Sequence, residues 1–394
     1  MEGCGENGCR LKLKTIVLFY SNEGASLPGI PPNSYIPVAD LSAVFRNTTN
    51  AYKFYWFRAI LSLIREGAGP FLSQQDLTGR MFELVWYPID YYKLSFGKLD
   101  SFVGIARLVR SLPGGHDLDN RPGKPSILVQ ADKSFSNEEK RMLLLQLNKL
   151  YQYVPFRFIR PFLQKETQGL KDSQVDRKVI EEANRLSQSE PSRCPYHFVK
   201  GGIQINGIWF EYFRAYLSIL EAFTNWHLVQ YLQRNNPNIS GISVKIFKPE
   251  ERKLTSVRHA WEMYRTVRGP LTCIYSNELL TGGFSLDHFI PWSFVAHDLN
   301  WNLTPVSREV NSKKNDRLPQ LHYLSRLASL QYDFVQTLFD VRGLGQVLEE
   351  YSMLFREEAK TIKSMPFERF EQKFNDTFIP MYQIAKNAGF REWV

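Results

Sequence analysis

Two neighbouring side chains, Asp287 and His288, are of types that can hydrolyse a phosphodiester. That reaction needs a base to take a proton from water, a cation to neutralise charge on the phosphoryl oxygens, and donors that fix the in-line geometry. Imidazole titrates near working pH, so His288 suits the base. The Asp287 carboxylate and the amide oxygen of Asn311 are hard ligands, which favour Mg²⁺ or Mn²⁺ over zinc. The sequence therefore predicts one hard-cation site beside a histidine.

A strand, a loop, a second strand and a helix are the elements that must position these side chains. Pro291 ends the first strand, and Pro305 with Ser307 marks the entry to a short helix. On that helix Asn311 and Lys314 lie three residues apart and therefore share a face.

One geometric requirement follows from the strand itself. Side chains of neighbouring strand residues point to opposite faces. Asp287 and His288 can therefore serve one site only if the strand bends or ends where they lie.

Motif residues recur at fixed spacing through this stretch, in the order Asp287-His288-x-x-Pro291, Asn302-Leu303-x-Pro305 and Asn311-x-x-Lys314. The pattern resembles the ββα-metal fold of HNH endonucleases. Its intervals of 14 residues from His288 to Asn302 and 23 from His288 to Asn311 match the HNH domain of the RNA-guided CRISPR effector nuclease. It also resembles stand-alone bacterial HNH proteins of restriction or phage defence. The resemblance covers residues 270–320.

The resemblance implies a role for each motif residue. His288 would be the general base, and Asp287 and Asn311 would be the metal ligands. Asn302 would order the loop and hold His288 in place. Lys314 would contact phosphate or neutralise charge in the transition state.

One departure from the family concerns zinc. Many HNH proteins staple this fold with paired CxxC zinc sites, whereas only Cys273 lies near the motif here. We therefore expect no structural zinc. Packing by four aromatic residues is expected to hold the fold instead: Phe284, Phe289, Trp292 and Trp301.

The net charge of +9 indicates an anionic partner, because a basic surface raises the local concentration of phosphates. Residues 106–200 hold 17 Lys and Arg against 11 Asp and Glu, whereas residues 251–319 hold nine against seven. Most of the electrostatic attraction is therefore expected outside the motif region. Beside the motif, Arg308, Lys313 and Arg317 are candidates for a track along a nucleic-acid backbone, although each alone is more often a solvated charge.

Helical periodicity organises most of the remaining chain. Predicted helices cover residues 50–66, 136–151, 174–187, 208–233 and 255–267, with a helical bundle from residue 318 onward. Asn50 is a candidate helix cap, and Ser136 followed by Glu139 fits a capping box. A strand is expected over residues 15–20.

These elements predict a predominantly helical α+β protein with a small ββα-metal HNH module between an N-terminal, mostly helical region and a C-terminal helical bundle. The polar, Pro-containing stretch 187–192 is the best linker candidate. The expected domains are residues 1–187 for substrate or partner recognition, 188–268 as a helical connector, 269–319 as the HNH module and 320–394 as the bundle.

The four cysteines, Cys4, Cys9, Cys194 and Cys273, are too few for a disulfide framework in 394 residues. A reducing compartment, the cytoplasm, is therefore expected. No uninterrupted apolar run reaches the roughly 18 residues of a membrane span, so no membrane partner is expected.

The prediction is a metal-dependent HNH endonuclease that cuts DNA, in bacterial restriction or anti-phage defence as the resemblance implies. Its expected partner is DNA, with a second copy of the chain or a defence protein left open. Two alternatives remain: a non-cleaving nucleic-acid-binding or regulatory subunit that keeps the HNH fold as a scaffold, and an RNA-cutting toxin. The first alternative is disfavoured, because a retired site need not keep all its motif residues together.

Overall fold

The computed structural model describes residues 29–46, 48–97, 100–250, 254–341 and 344–393. The strand predicted over residues 15–20 and the cysteines Cys4 and Cys9 lie outside the described residues. None of the helices in these ranges combines the length and the apolar character that a membrane crossing needs.

The first part of the fold is mostly helical, with one small sheet. Its helices and strands are α1 (Val38–Ala43), α2 (Tyr52–Arg65), β1 (Phe71–Ser73), α3 (Gln74–Trp86), α4 (Ser101–Ser111), α5 (Ile127–Ser134), α6 (Asn137–Tyr151), α7 (Val154–Ile159), α8 (Gln164–Thr167), α9 (Asp172–Ser189), β2 (Tyr196–Val199), β3 (Gly202–Ile205), α10 (Gly207–Ala215), α11 (Leu217–Asn235) and α12 (Ile242–Lys245).

The second part holds two strand pairs among helices. Its elements are α13 (Thr255–Arg268), β4 (Leu271–Thr272), β5 (Leu279–Leu280), β6 (Ser285–His288), α14 (Trp292–Val295), β7 (Leu303–Val306), α15 (Arg308–Lys314), α16 (Tyr323–Leu338), α17 (Gly345–Phe355), α18 (Ala359–Lys363) and α19 (Phe367–Asn387). The chain is thus a predominantly helical α+β protein, as expected.

A first hydrophobic core gathers buried side chains between Ile30 and Ile246. Helix α2 is buried on nearly all sides and packs against α3, α7 and α11. Within it, Arg58 is only 7% exposed, and both of its terminal nitrogens donate to the Ile246 carbonyl at 3.2 Å. This buried charge ties α2 to the end of α12.

The small sheet has the strand order β1-β3-β2, with antiparallel pairing throughout. Gly202 of β3 lies opposite Ser73, and a Cβ added to it would approach the Leu72 carbonyl oxygen to 2.1 Å. Only glycine allows β1 to pair this closely at that position.

A second core gathers buried side chains between Val257 and Phe390. Rings near the strands β6 and β7 meet α19: the centroids of Phe289 and Trp301 lie 5.9 and 5.5 Å from that of Phe378. Residues 269–319 therefore share one core with the helices before and after them.

Several predicted helices form with small shifts at their ends. Residues 50–66 contain α2, but the helix starts after Ala51 with no side-chain cap, so Asn50 is not its cap. The capping box of α6 forms as predicted: Ser136 Oγ accepts from the Glu139 amide at 3.3 Å, and the Glu139 carboxylate accepts from the Ser136 amide at 2.8 Å.

The helix predicted over residues 208–233 is instead two helices, α10 and α11, which meet at Tyr216 with φ −116° and ψ 23°. The prediction of one helix is wrong because apolar periodicity continues across a one-residue break. The predicted linker at 187–192 starts inside α9, which continues to Ser189. The first core contains residues on both sides of position 187, and the domain boundaries stay predictions.

A buried amide connects the C-terminal helices to the strands. Gln331 of α16 is fully buried, and its Nε2 donates to the carbonyls of Asn300 at 3.0 Å and Leu303 at 2.7 Å. Its Oε1 accepts from the hydroxyl of Tyr351 on α17. Since buried polar groups must be paired, this one side chain holds α16 and α17 against the start of β7.

We predict that Gln331→Leu destabilises the protein by about 3 kcal/mol, because it leaves a buried hydroxyl and two carbonyls without their partner. Urea unfolding followed by circular dichroism measures the loss. The control is Gln383→Leu on the exposed side of α19, which should change stability by less than about 0.5 kcal/mol. Equal losses in both variants would contradict the role given to Gln331.

Candidate active site

The strands β6 and β7 form an antiparallel pair, and α15 follows β7 directly. Asp287 lies opposite Thr304, and His288, the last residue of β6, lies opposite Leu303. The Ser307 hydroxyl accepts a hydrogen bond of 3.2 Å from an amide in the first turn of α15 and so caps the helix. The order strand, loop, strand, helix is the one that the sequence predicts.

Asn302 organises the loop between β6 and β7. Its side chain is fully buried; Oδ1 accepts from the Ile290 amide at 2.9 Å, and Nδ2 donates to the Ile290 carbonyl at 2.8 Å. Its own carbonyl accepts from the Phe289 amide at 2.8 Å. One asparagine therefore fixes the backbone that leaves β6 directly after His288.

A buried ion pair joins β6 to α15. Lys314 is fully buried, and its Nζ lies 3.1 Å from Oδ1 and 3.0 Å from Oδ2 of Asp287. The same Nζ donates to the His288 carbonyl at 2.6 Å, and the Tyr275 hydroxyl donates to Asp287 Oδ2 at 2.9 Å. Burial lowers the pKa of Lys314, while the Asp287 carboxylate opposes that shift.

This geometry differs from the expectation that Lys314 contacts phosphate. The side chain has no exposed surface, and the ammonium has a carboxylate and a carbonyl as partners. The reason is its place on the face of α15 that packs on β6. Lys314 contacts the Asp287 carboxylate and the His288 carbonyl in this structure, and its role toward phosphate stays a prediction.

His288 takes a different partner from its neighbour. Its ring is 7% exposed, and Nε2 lies 2.8 Å from Oδ1 of Asp298, in the loop after α14. Because β6 pairs regularly through His288, Asp287 and His288 lie on opposite faces of the strand. Within β6 the two side chains have separate partners, but the strand ends at His288, which is the second of the two conditions that the sequence sets. The His288 carbonyl, bonded by Lys314, is what links the histidine to the Asp287 ion pair.

The three basic residues proposed as a backbone track differ in availability. Arg308 is exposed at the start of α15. Lys313 is 64% exposed and lies 2.5 Å from Glu309 one turn earlier. Arg317 donates to the carbonyls of Lys313 and Lys314 at the C-terminal end of α15. The negative end of the helix dipole also favours a cation at this position. Of the three, only Arg308 forms neither an ion pair nor a side-chain hydrogen bond with a described residue.

Residues of the first core hold the loop between β6 and β7. Lys245 of α12 is fully buried and donates to the carbonyls of Phe294, in α14, and Ser240; burial lowers its pKa to about 8. Trp292 is half-buried and its ring lies 6.2 Å from that of Tyr92. Trp292 thus packs on the first core, whereas the other three aromatic residues expected to hold the module are buried in the second: Phe284, Phe289 and Trp301.

The oxygen atoms of Asp287 and Asn311 can be compared with the ligands that a hard cation takes. A carboxylate has about four acceptor positions, and Lys314 and Tyr275 occupy three of those on Asp287. Asn311 is half-buried, and its side chain has no hydrogen-bond partner among the described residues. One carboxylate position and one amide oxygen are donors that Mg²⁺ and Mn²⁺ accept. Both donors are of the type that such an ion takes, and an ion bound to Asp287 would share the carboxylate with a buried ammonium.

Most ligands of such an ion would come from water and substrate. Within the described ranges, no group of three or more His, Cys, Asp or Glu side chains is placed to hold a metal. Mg²⁺ commonly keeps several waters and takes only one or two protein carboxylates, so this is compatible with its chemistry.

Residues 272–320 match the family of HNH endonucleases, and this stretch is an HNH endonuclease domain, as the resemblance predicts. The match runs from the end of β4 to just beyond α15. HNH endonucleases generally use a divalent metal ion, and the domain indicates a nuclease that acts on nucleic acid. No curated protein and no solved structure matches the chain.

Three residues of the site escape the motif pattern. Asp298 lies ten residues after His288 in the loop, and the motif pattern does not mark it as a partner for the histidine. Tyr275 also lies outside the motif. Glu350 of α17 accepts from the backbone and side-chain amides of Asn300, and burial raises its pKa to about 7.

We predict that Lys314→Met lowers the stability of the protein by about 3–5 kcal/mol, because it leaves the Asp287 carboxylate buried without a countercharge. Adding Asp287→Asn to that variant should recover most of the loss. If the Asp287 carboxylate can bind a cation, Mg²⁺ should raise the melting temperature of Lys314→Met more than that of the parent.

Lys313→Met is the matched control, since its side chain is largely exposed. Calorimetry of the four proteins with and without Mg²⁺ measures these effects. A double variant no more stable than Lys314→Met would contradict the pairing. An equal response of Lys314→Met and the parent to Mg²⁺ would contradict the cation position.

Proposed function

We propose that this chain is a metal-dependent HNH endonuclease that hydrolyses DNA, with His288 as its general base. The observation that best supports the proposal is the 2.8 Å hydrogen bond between His288 Nε2 and Asp298 Oδ1. A base held by a carboxylate is the arrangement that fixes both the tautomer and the ring orientation of a catalytic histidine.

Proton transfer is the step that His288 performs in this proposal. When Nε2–H donates to Asp298, the other ring nitrogen of the neutral imidazole carries the lone pair. That nitrogen takes a proton from a water molecule, whose oxygen attacks phosphorus as one ester bond to a sugar oxygen breaks. Asp298 stabilises the imidazolium that forms.

Asp287, Asn311, Asn302 and Lys314 support the reaction in different ways. Asp287 and Asn311 would hold Mg²⁺ or Mn²⁺, which supplies positive charge to the phosphoryl oxygens and the leaving group. Asn302 keeps the backbone after His288 in one conformation, and Lys314 orients the Asp287 carboxylate. Arg308, which is exposed beside the site, would contact the nucleic-acid backbone.

DNA as the substrate, and a role in restriction or anti-phage defence inside the cytoplasm, stay predictions that rest on the resemblance. A single site of this kind cuts one strand at each event. A double-strand break would therefore need two copies of the chain or two visits.

The alternative of a non-cleaving nucleic-acid-binding subunit has one observation in its favour. The Lys314 ammonium already neutralises Asp287, so that carboxylate attracts a second cation less strongly. Calorimetric titration of the protein with Mg²⁺ and Mn²⁺ separates the two proposals: DNA affinity without any metal binding favours the scaffold.

We predict that the parent protein nicks or cuts plasmid DNA with Mg²⁺ and that EDTA abolishes the activity. His288→Ala should lower the rate at least ~100-fold, since a positioned base contributes about 10²–10⁴-fold. Asp298→Asn should lower kcat with little change in DNA binding. Supercoiled, linear and single-stranded DNA and RNA, incubated in parallel and resolved on gels, measure the rates.

His116→Ala, an exposed histidine of the first part, is the control and should cut like the parent. Equal cutting by His288→Ala and the parent would show that the general base is assigned wrongly. Faster cleavage of RNA than of any DNA would favour the RNA-cutting alternative.

A further inference from the structure

A large cavity lies in the first part of the fold. It has a volume of about 1600 Å³ and is lined by residues of α1, α7, α9 and the segments beside them. A second cavity of about 690 Å³ adjoins it, and Thr49, Lys53 and Arg157 line both. None of the lining residues belongs to the HNH domain, so this joined cleft is a separate site.

Basic side chains dominate the cleft. Seven lysines and arginines but only three aspartates line its two parts. Five of the basic residues form no salt bridge with any described residue: Arg46, Lys53, Lys149, Arg157 and Lys165. One of the aspartates, Asp100, is 8% exposed and accepts backbone hydrogen bonds from Ala51 and Phe102. These five basic residues outnumber the three aspartates of the cleft, of which Asp40 interacts electrostatically with Lys165 and Arg193.

Several of these charges lie close enough to repel one another. Burial lowers the pKa of Lys53, and the charges of Arg160 and Arg157 lower it further. Like charges brought together destabilise the fold, so a bound anion would relieve part of that cost.

Exposed aromatic rings lie beside the charges. Tyr35 lines the first cavity and is 75% exposed, and Tyr153 lines the second and is 53% exposed. The Arg157 guanidinium lies 5.1 Å from the centroid of the Tyr153 ring. A basic groove with exposed aromatic rings is the combination that binds single strands, because phosphates meet the charges and bases stack on the rings.

We propose that this cleft binds a single strand of nucleic acid without sequence preference, at a site distinct from the HNH domain. A volume of about 1600 Å³ exceeds the roughly 300–1,000 Å³ of small-molecule pockets, which favours an extended polyanion over a mononucleotide. Both faces of each base are covered in a duplex, so the exposed tyrosines favour a single strand.

The test measures binding of a fluorescent single-stranded oligonucleotide by anisotropy, in EDTA so that nothing is cut. The triple variant Arg46→Gln, Arg157→Gln and Lys165→Gln should bind at least ~10-fold more weakly near 0.1 M salt. Its slope of log affinity against log salt should be shallower by about 2, because each phosphate contact on a single strand contributes about 0.7. Tyr35→Ala should weaken binding and leave the slope unchanged.

The matched control removes three exposed charges that line neither cavity: Arg107→Gln, Lys133→Gln and Arg141→Gln. It should keep affinity within twofold of the parent. Equal weakening by both triple variants would show general electrostatics and overturn the proposal. The proposal would also be overturned if the triple variant lost binding of a mononucleoside triphosphate or of duplex DNA but kept binding of the single strand. Plasmid cleavage by the triple variant is measured at saturating DNA. This measurement distinguishes a loss of binding in the cleft from a defect of the proposed catalytic site.

Discussion

The ion pair between Asp287 and Lys314 is the interaction on which the rest of the HNH domain depends. Removing two charges from water costs several kcal/mol for each ion, and only good geometry with further hydrogen bonds offsets that cost. Lys314 meets the condition through both Asp287 oxygens and the His288 carbonyl, and the Tyr275 hydroxyl adds a bond to the carboxylate. The pair joins the strand to the helix, so a shift of α15 would move the carboxylate and the end of β6 together.

Residues packed with both cores hold the loop that follows the proposed base. Asn302 bonds the backbone of Ile290 from the second core, while Lys245 reaches from the first core to the carbonyl of Phe294. Gln331 connects the C-terminal helices to the same loop by donating a hydrogen bond to the Asn300 carbonyl. A small hairpin with a short helix has too little apolar surface to be stable alone. The surrounding helices therefore supply the apolar core that this hairpin and helix need.

Features that depend on neighbouring residues in the chain, such as helix caps and the order of strands and helices, can be predicted from the sequence. The Ser136 capping box follows from local chemistry, and the order of the motif residues predicts the hairpin and its helix, with Asn302 in the loop. Burial of Lys314 is not predictable in this way, because lysines are almost never fully buried and periodicity gives a face of a helix but not its partner. The bond between His288 and Asp298 depends on the path of a 14-residue loop, which local propensity does not determine.

The charges of the HNH domain also explain why binding and cleavage would be carried by different parts of the chain. Lys314 is buried, Arg317 bonds the end of α15 and Lys313 is paired with Glu309, so most positive charge of this helix serves the fold. A site with one exposed arginine can orient a phosphate but attracts a polyanion weakly, since attraction grows with the number of phosphates neutralised. Five basic residues of the cleft form no salt bridge with a described residue, and residues 106–200 alone hold 17 lysines and arginines. A cleft that captures a strand and a domain that cuts it would therefore have opposite electrostatic needs: uncompensated charge in the first, and compensated, precisely oriented charge in the second.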